Sequence, residues 1–101
     1  MQVTAYRSPK LKIVLSKHIE DKLNTELSHL SVTKADVEDT VLRPDQVLFD
    51  PQTGRNVVVR LEKKLAVVFE RGPEDIFIIT AIYSSNLEHV ILIRKRSGRW
   101  L

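Results

Sequence analysis

Pro44 separates two stretches with different hydrophobic periods, so the chain must hold helices and strands in separate blocks. Upstream, Ile19, Leu23, Leu27 and Leu30 recur at spacings of four, four and three, which is one face of a helix. Ser16 stands where an N-cap belongs. Thr33 opens a second helix through a Thr33-x-x-Asp36 capping box, with Val32 and Val37 at the staple positions and Val41 one turn on. Pro44 ends that helix.

Downstream the period is two. "QVLF" leads to the turn "DPQTG", "RNVVVRL" runs to a tight "EK" connection, and "KLAVVFER" returns as a hairpin partner. "RGPED" makes the next turn, "IFIITAIY" is the most apolar and hence central strand, and "HVILIRK" reads as the last strand. A short strand, "LKIVL", follows the Ser8-Pro9 break. The order is β-α-α-β-β-β-β-β in one domain over 1–101.

This pattern predicts an α+β fold: an N-terminal helical hairpin packed on one face of a four- or five-stranded antiparallel sheet. The opposite face is then open for function. Val57, Val59 and Leu61 share one side of their strand, while Asn56, Val58 and Arg60 share the other, so Arg60 projects from mid-sheet. The same parity sends Thr80 and Tyr83 to opposite faces.

The chain has no Cys, so no disulfide or thiolate metal site supports it, and with 43% hydrophobic residues the fold must rest on its core. His18, His29 and His89 show no metal-ligand spacing, and neither a metal nor a cofactor is expected. There is no Gly-rich phosphate loop, HExxH or GxSxG. No apolar run is long enough to span a bilayer, and "MQVTAYRSPK" lacks a signal-type apolar region, which predicts a cytoplasmic protein.

The net charge of +3 conceals a segregation. Arg7, Lys10, Lys12 and Lys17 stand in residues 1–17 without an acid, and Arg94, Lys95, Arg96 and Arg99 close the chain. Phosphate affinity follows local charge, so two converging basic ends would make a polyanion site. His18, Lys22, Thr25 and His29 form a polar helical stripe, and Lys17 and His18 occupy a first turn that favours anions.

Cleaving RNA without a metal requires a base, an acid and cations for the transition-state charge. His18 and Tyr83 are the acid–base candidates, and Arg60 with Arg94 or Arg96 the electrostatic clamp. Lys17, Lys22, Arg94 and Arg96 are the phosphate-binding candidates. Each has a plainer reading: a solvated helix face for His18, an edge-of-core aromatic for Tyr83, and protection of a sheet edge for the terminal cations.

The ordered motifs Ser16-Lys17-His18, Lys22-Leu23, Val32-Thr33, Val37, Pro44, Ile79-Thr80-Ala81 and "RKRSGRW" resemble those of the barnase–EndoU–colicin–RelE group of small prokaryotic toxin domains, particularly the short families related to BrnT. Lys22 stands where those families carry Arg, which keeps the charge but loses the bidentate fork. The resemblance implies a RelE/barnase-like fold, a metal-independent endoribonuclease (a hydrolase acting on RNA) and an antitoxin partner. The alternative is a non-catalytic module of the same fold that binds nucleic acid or a protein. A third reading is a structural domain that forms a homodimer through the edge of the last strand, "VILIRK".

Overall fold

The computed structural model describes residues 12–101, so Arg7, the Ser8-Pro9 break, Lys10 and Leu11 lie outside the described residues. Its elements are β1 (Lys12–Leu15), α1 (Lys17–Asn24), α2 (Glu26–His29), α3 (Lys34–Leu42), β2 (Gln46–Asp50), β3 (Arg55–Arg60), β4 (Leu65–Arg71), β5 (Asp75–Tyr83) and α4 (Leu87–Arg96). They form an α+β fold around a five-stranded sheet in the order β1-β5-β4-β3-β2.

The sheet is mixed rather than wholly antiparallel. β2 to β5 form an antiparallel meander, but β1 runs parallel to β5, with Lys12 opposite Asp75 and Leu15 opposite Ile78. Alternation along "KIVL" encodes half-burial and is silent on the direction of the neighbour. The β3–β4 connection is also longer than the expected "EK" pair. It spans residues 61–64, is closed by the Lys63 N–H on the Arg60 carbonyl (3.2 Å), and needs a left-handed Lys64 (φ 56°).

The first predicted helix breaks in two at Thr25 (φ −121°, ψ −100°), whose hydroxyl donates to the Asp21 carbonyl at 2.8 Å. Such back-bonding from Thr weakens a helix interior. The second helix starts as expected. Thr33 accepts from the Asp36 N–H while the Asp36 carboxylate accepts from the Thr33 N–H, completing the capping box.

The largest correction concerns the end of the chain: residues 87–96 are helix α4, not a strand. Leu87 and Ile91, four apart, are buried on its inner side. Gly98 (φ 77°) ends it in a Schellman arrangement, with the Gly98 N–H on the Lys95 carbonyl (3.1 Å) and the Arg99 N–H on the Arg94 carbonyl (2.8 Å). The run Val90 to Ile93 satisfies strand propensity over a short window, but a helix with a glycine stop and a basic last turn satisfies more of the sequence.

The edge expected to support a homodimer therefore does not exist as a strand. Instead the chain end closes part of the real edge at β2: the Leu101 N–H donates to the Phe49 carbonyl (2.8 Å) and the Phe49 N–H to the Leu101 carbonyl (3.2 Å).

Both sheet faces are covered. Ile19, Leu27, Val32 and Val37 from the α1–α3 layer pack on Val58, Leu65, Val67, Ile76, Ile78 and Ala81. Leu87, Ile91 and Trp100 pack on Leu48, Val57, Val59 and Ala66. The face expected to be open is the seat of α4. Trp100 is 2% exposed and anchors the last residues against the sheet.

One irregularity sets the second face. Between Val68 and Phe69 the register with β5 slips, so that Val68 faces Thr80, Phe69 faces Ile78, and Ile79 is the extra residue of a β-bulge. Ile76 and Ile78 before it, and Ala81 after it, all join the α1–α3 core. Thr80 and Ile82 consequently turn toward α4. Ser16 fastens the bulge: its hydroxyl donates to the Ile79 carbonyl (2.8 Å) and accepts from the Ile19 N–H (3.1 Å) as the cap of α1.

Candidate phosphate-binding site

Parity correctly separates Thr80 from Tyr83, and the two faces they occupy differ in charge. The α1–α3 layer, residues 17–42, sets three lysines against six carboxylates. The α4 layer, residues 87–101, sets Arg94, Lys95, Arg96 and Arg99 against Glu88 alone. A phosphate backbone is repelled by the first layer and attracted by the second.

Lys17, His18 and Lys22 belong to the acidic layer. Lys17 pairs with Asp21 (3.6 Å) on the exposed side of α1, and His18 is exposed on its first turn. Lys22 is turned inward, its ammonium donating to the Ala81 carbonyl at 2.6 Å. It pins α1 to β5 just past the bulge.

Tyr83 packs against the core under the α1–α3 layer. Arg60 shares that face, since Arg60 lies opposite Leu65 and Leu65 opposite Tyr83, which places their backbones roughly 10 Å apart across β4. Arg60 is committed to structure. It donates to the Arg43 carbonyl (2.9 Å), pairs with Glu62, lies 3.8 Å from Asp39, and its side chain is 17% exposed. The Glu62 bond, against the effect of burial, raises the guanidinium pKa.

Lys63 completes this group by bonding Asp36 (3.0 Å), so the charges tie α3 to the β3–β4 turn. Asp36 is held below the usual carboxylate range, first by the Thr33 backbone N–H and then by Lys63, with burial opposing. These groups act as a clasp between elements.

Arg94 and Arg96 lie on the other side of the sheet, so the expected partnership of either with Arg60 does not form. Arg94 sits over the Trp100 ring, 4.8 Å from its centroid, and takes part in no ion pair among the described residues. Lys95 lines a shallow recess with Gln46 of β2 and Glu88 of its own helix, and Arg96 is exposed in the last turn.

Beneath Arg94 is a cavity of about 160 Å³ whose walls include Thr80, Ile79, Arg55, Arg99, Asp50 and Trp100. Arg99 pairs with Asp50 at 3.5 Å, and Arg55 with Glu70 at 3.1 Å. Burial pushes the Asp50 carboxyl up, but the Gln52 N–H, the Thr53 hydroxyl and N–H, and Arg99 outweigh it and hold the group ionised. The Thr80 hydroxyl is buried with no hydrogen-bond partner among the described residues. An unsatisfied buried hydroxyl costs about 1–3 kcal/mol.

The sequence marks Arg94 and Arg99 as part of a basic cluster and Thr80 as a strand hydroxyl, but it does not point to Arg55 or Asp50. Their meeting with Arg99 depends on the β2–β3 turn and the chain end converging at one end of the sheet. Asp50 in the turn "DPQTG" and Arg99 after Gly98 carry no local mark of that encounter.

A larger recess of about 640 Å³ opens between α1–α2 and α3, but Glu20 and Asp21 outnumber Lys34 among its charged lining residues, which is unsuited to an anion. Among the described residues no cluster of His, Asp or Glu could hold a metal, and no helix is long and apolar enough to cross a membrane. The chain matches no family model, no curated protein and no solved structure.

Proposed function

We propose that this protein is a non-catalytic module that binds the phosphate backbone of a nucleic acid through the α4 layer. RNA is the class that the resemblance to small toxin domains implies. The observation that carries the reading is the electrical two-sidedness: Arg94, Lys95, Arg96 and Arg99 gather on one layer, and the excess of carboxylates lies on the other. Trp100, the only Trp, is buried, so it offers no stacking platform for bases, and contact through phosphates gives binding with little sequence preference.

Cleavage is not part of this proposal. A general base must come within hydrogen-bond reach of the hydroxyl it deprotonates, and His18 stands on the α1 side while the terminal arginines stand on the α4 side. Tyr83 is packed beneath the helices.

The test is fluorescence anisotropy with labelled RNA in EDTA, followed by a gel of the same RNA. The wild type is expected to bind and leave the RNA intact, His18→Ala to bind equally, and Lys95→Glu/Arg96→Glu to bind at least tenfold more weakly. RNA cleavage by the wild type that His18→Ala abolishes would instead establish the ribonuclease reading.

A further inference from the structure

We propose that the cavity between the β5 bulge and the end of α4 is a binding site for a single phosphate group. Thr80 supplies the hydroxyl donor, Arg94 the counter-charge, and Arg99 and Arg55 the cationic walls. The proposal uses the nucleic-acid reading only for one of the two sources of that phosphate.

The Thr80 hydroxyl is the first argument. A valine would fill this strand position with the same branched shape, yet the chain carries an oxygen there, buried and without a protein partner among the described residues. The bulge at Ile79, whose carbonyl Ser16 bonds, makes Thr80 one of the residues lining the cavity; its oxygen lies just behind the wall that water reaches, so a bound phosphate meets it after a turn about χ1. Bulges commonly re-aim a side chain beside a functional site.

Arg94 is the second. Its guanidinium lies against the Trp100 ring, which limits its motion and leaves its N–H fork available for an oxyanion. Around the cavity, Arg55, Arg94 and Arg99 face Asp50 and Glu70, and the surplus is one positive charge. That surplus balances one phosphodiester or one phosphate monoanion.

Size restricts the ligand further. About 160 Å³ is the space of roughly five liquid waters, below the roughly 300 Å³ at which pockets for whole small molecules begin. A phosphate group fits and a nucleoside does not. The ligand is therefore either a backbone phosphate presented by a strand or a phosphate carried by a small molecule.

The experiment titrates inorganic phosphate into the full chain at constant ionic strength, with chloride as the control, and follows the fluorescence of Trp100. Phosphate is expected to give a saturable change that chloride does not. Thr80→Val and Arg94→Gln, each confirmed as folded by circular dichroism, should weaken it by about tenfold or more.

Labelled RNA distinguishes the two sources. If phosphate competes with RNA and Thr80→Val weakens both, the site takes a backbone phosphate. If phosphate binds but Thr80→Val leaves RNA affinity unchanged, the site takes a free phosphate or a small phosphomonoester. Lys95→Glu/Arg96→Glu should lower RNA affinity and leave inorganic phosphate binding intact, so the α4 surface and the cavity fail or stand separately. No saturable response to phosphate in the wild type, or an equal response in folded Thr80→Val, would overturn the assignment and make the cavity a water site.

Discussion

Trp100→Ala tests whether the end of the chain is part of the core. Trp100 is 2% exposed and packs with Leu48, Val57, Val59, Leu87 and Ile91 beneath α4. Removing a buried Trp side chain costs about 3–5 kcal/mol in lost burial and residual cavity. Loss of the Arg94 contact and loosening of the Leu101–Phe49 pairing act in the same direction, so about 4 kcal/mol is a fair central value. Native domains have only about 5–15 kcal/mol in total, and in a domain near this size each kcal/mol is worth roughly 4–8 °C. The midpoint should therefore fall by roughly 20 °C. Far-UV circular dichroism is the assay, because the substitution removes the only Trp and with it the fluorescence signal. Trp100→Phe, which keeps an aromatic body in the same place, should lose less than half as much. A fall worth under about 1 kcal/mol for Trp100→Ala would mean that residues 97–101 are an appendage, and would refute the packing argument.

Ser16→Ala should cost roughly 2 kcal/mol in urea unfolding, since it removes both the α1 cap and the donor to the Ile79 carbonyl, while Ser16→Thr should recover much of the loss. Asp36 supplies a pH signature. Its folded pKa is depressed, so its contribution is present above the usual carboxylate pKa of about 4 and is lost as pH falls through the lower folded value. Lys63, raised chiefly by its bond to Asp36, contributes fully below the unfolded lysine pKa of about 10.4 and loses that contribution as pH rises through the higher folded value. Urea midpoints measured against pH should show both limbs in the wild type and a flatter curve in Asp36→Asn. An unchanged alkaline limb in the variant would contradict the clasp between α3 and the β3–β4 turn.

Much of the fold is legible where the determinants are local. The change of period at Pro44, the Thr33–Asp36 box and the alternation in β3 to β5 identify those elements without knowledge of their neighbours. Parity alone places Arg60 with Val58 and separates Thr80 from Tyr83. Three features escape such reading. The direction of β1 is decided by where its partner runs. "VILI" is too short and too β-branched for periodicity to decide, and Gly98 with the basic last turn would have favoured the helix. The Ile79 bulge contains no glycine to mark it, and it exists because β4 and Ser16 hold it. Reading residues 89–95 as a strand leaves one face of the sheet open and allows His18, Arg60 and Arg94 to be grouped in one site, whereas α4 covers that face and holds Arg94 on the side away from Arg60 and His18.

The α4 surface as a phosphate-binding face is tested most directly by the salt dependence of RNA affinity. Four cations on that layer predict a slope of log K against log salt of about −3 for a single strand, at about −0.7 per phosphate contact. Lys95→Gln/Arg96→Gln should reduce the slope to about −1.4. Lys17→Gln and Lys22→Met, on the acidic layer, should leave it unchanged. A flat response in the wild type, or a slope that depends on Lys17 and Lys22 rather than on Lys95 and Arg96, would contradict the account.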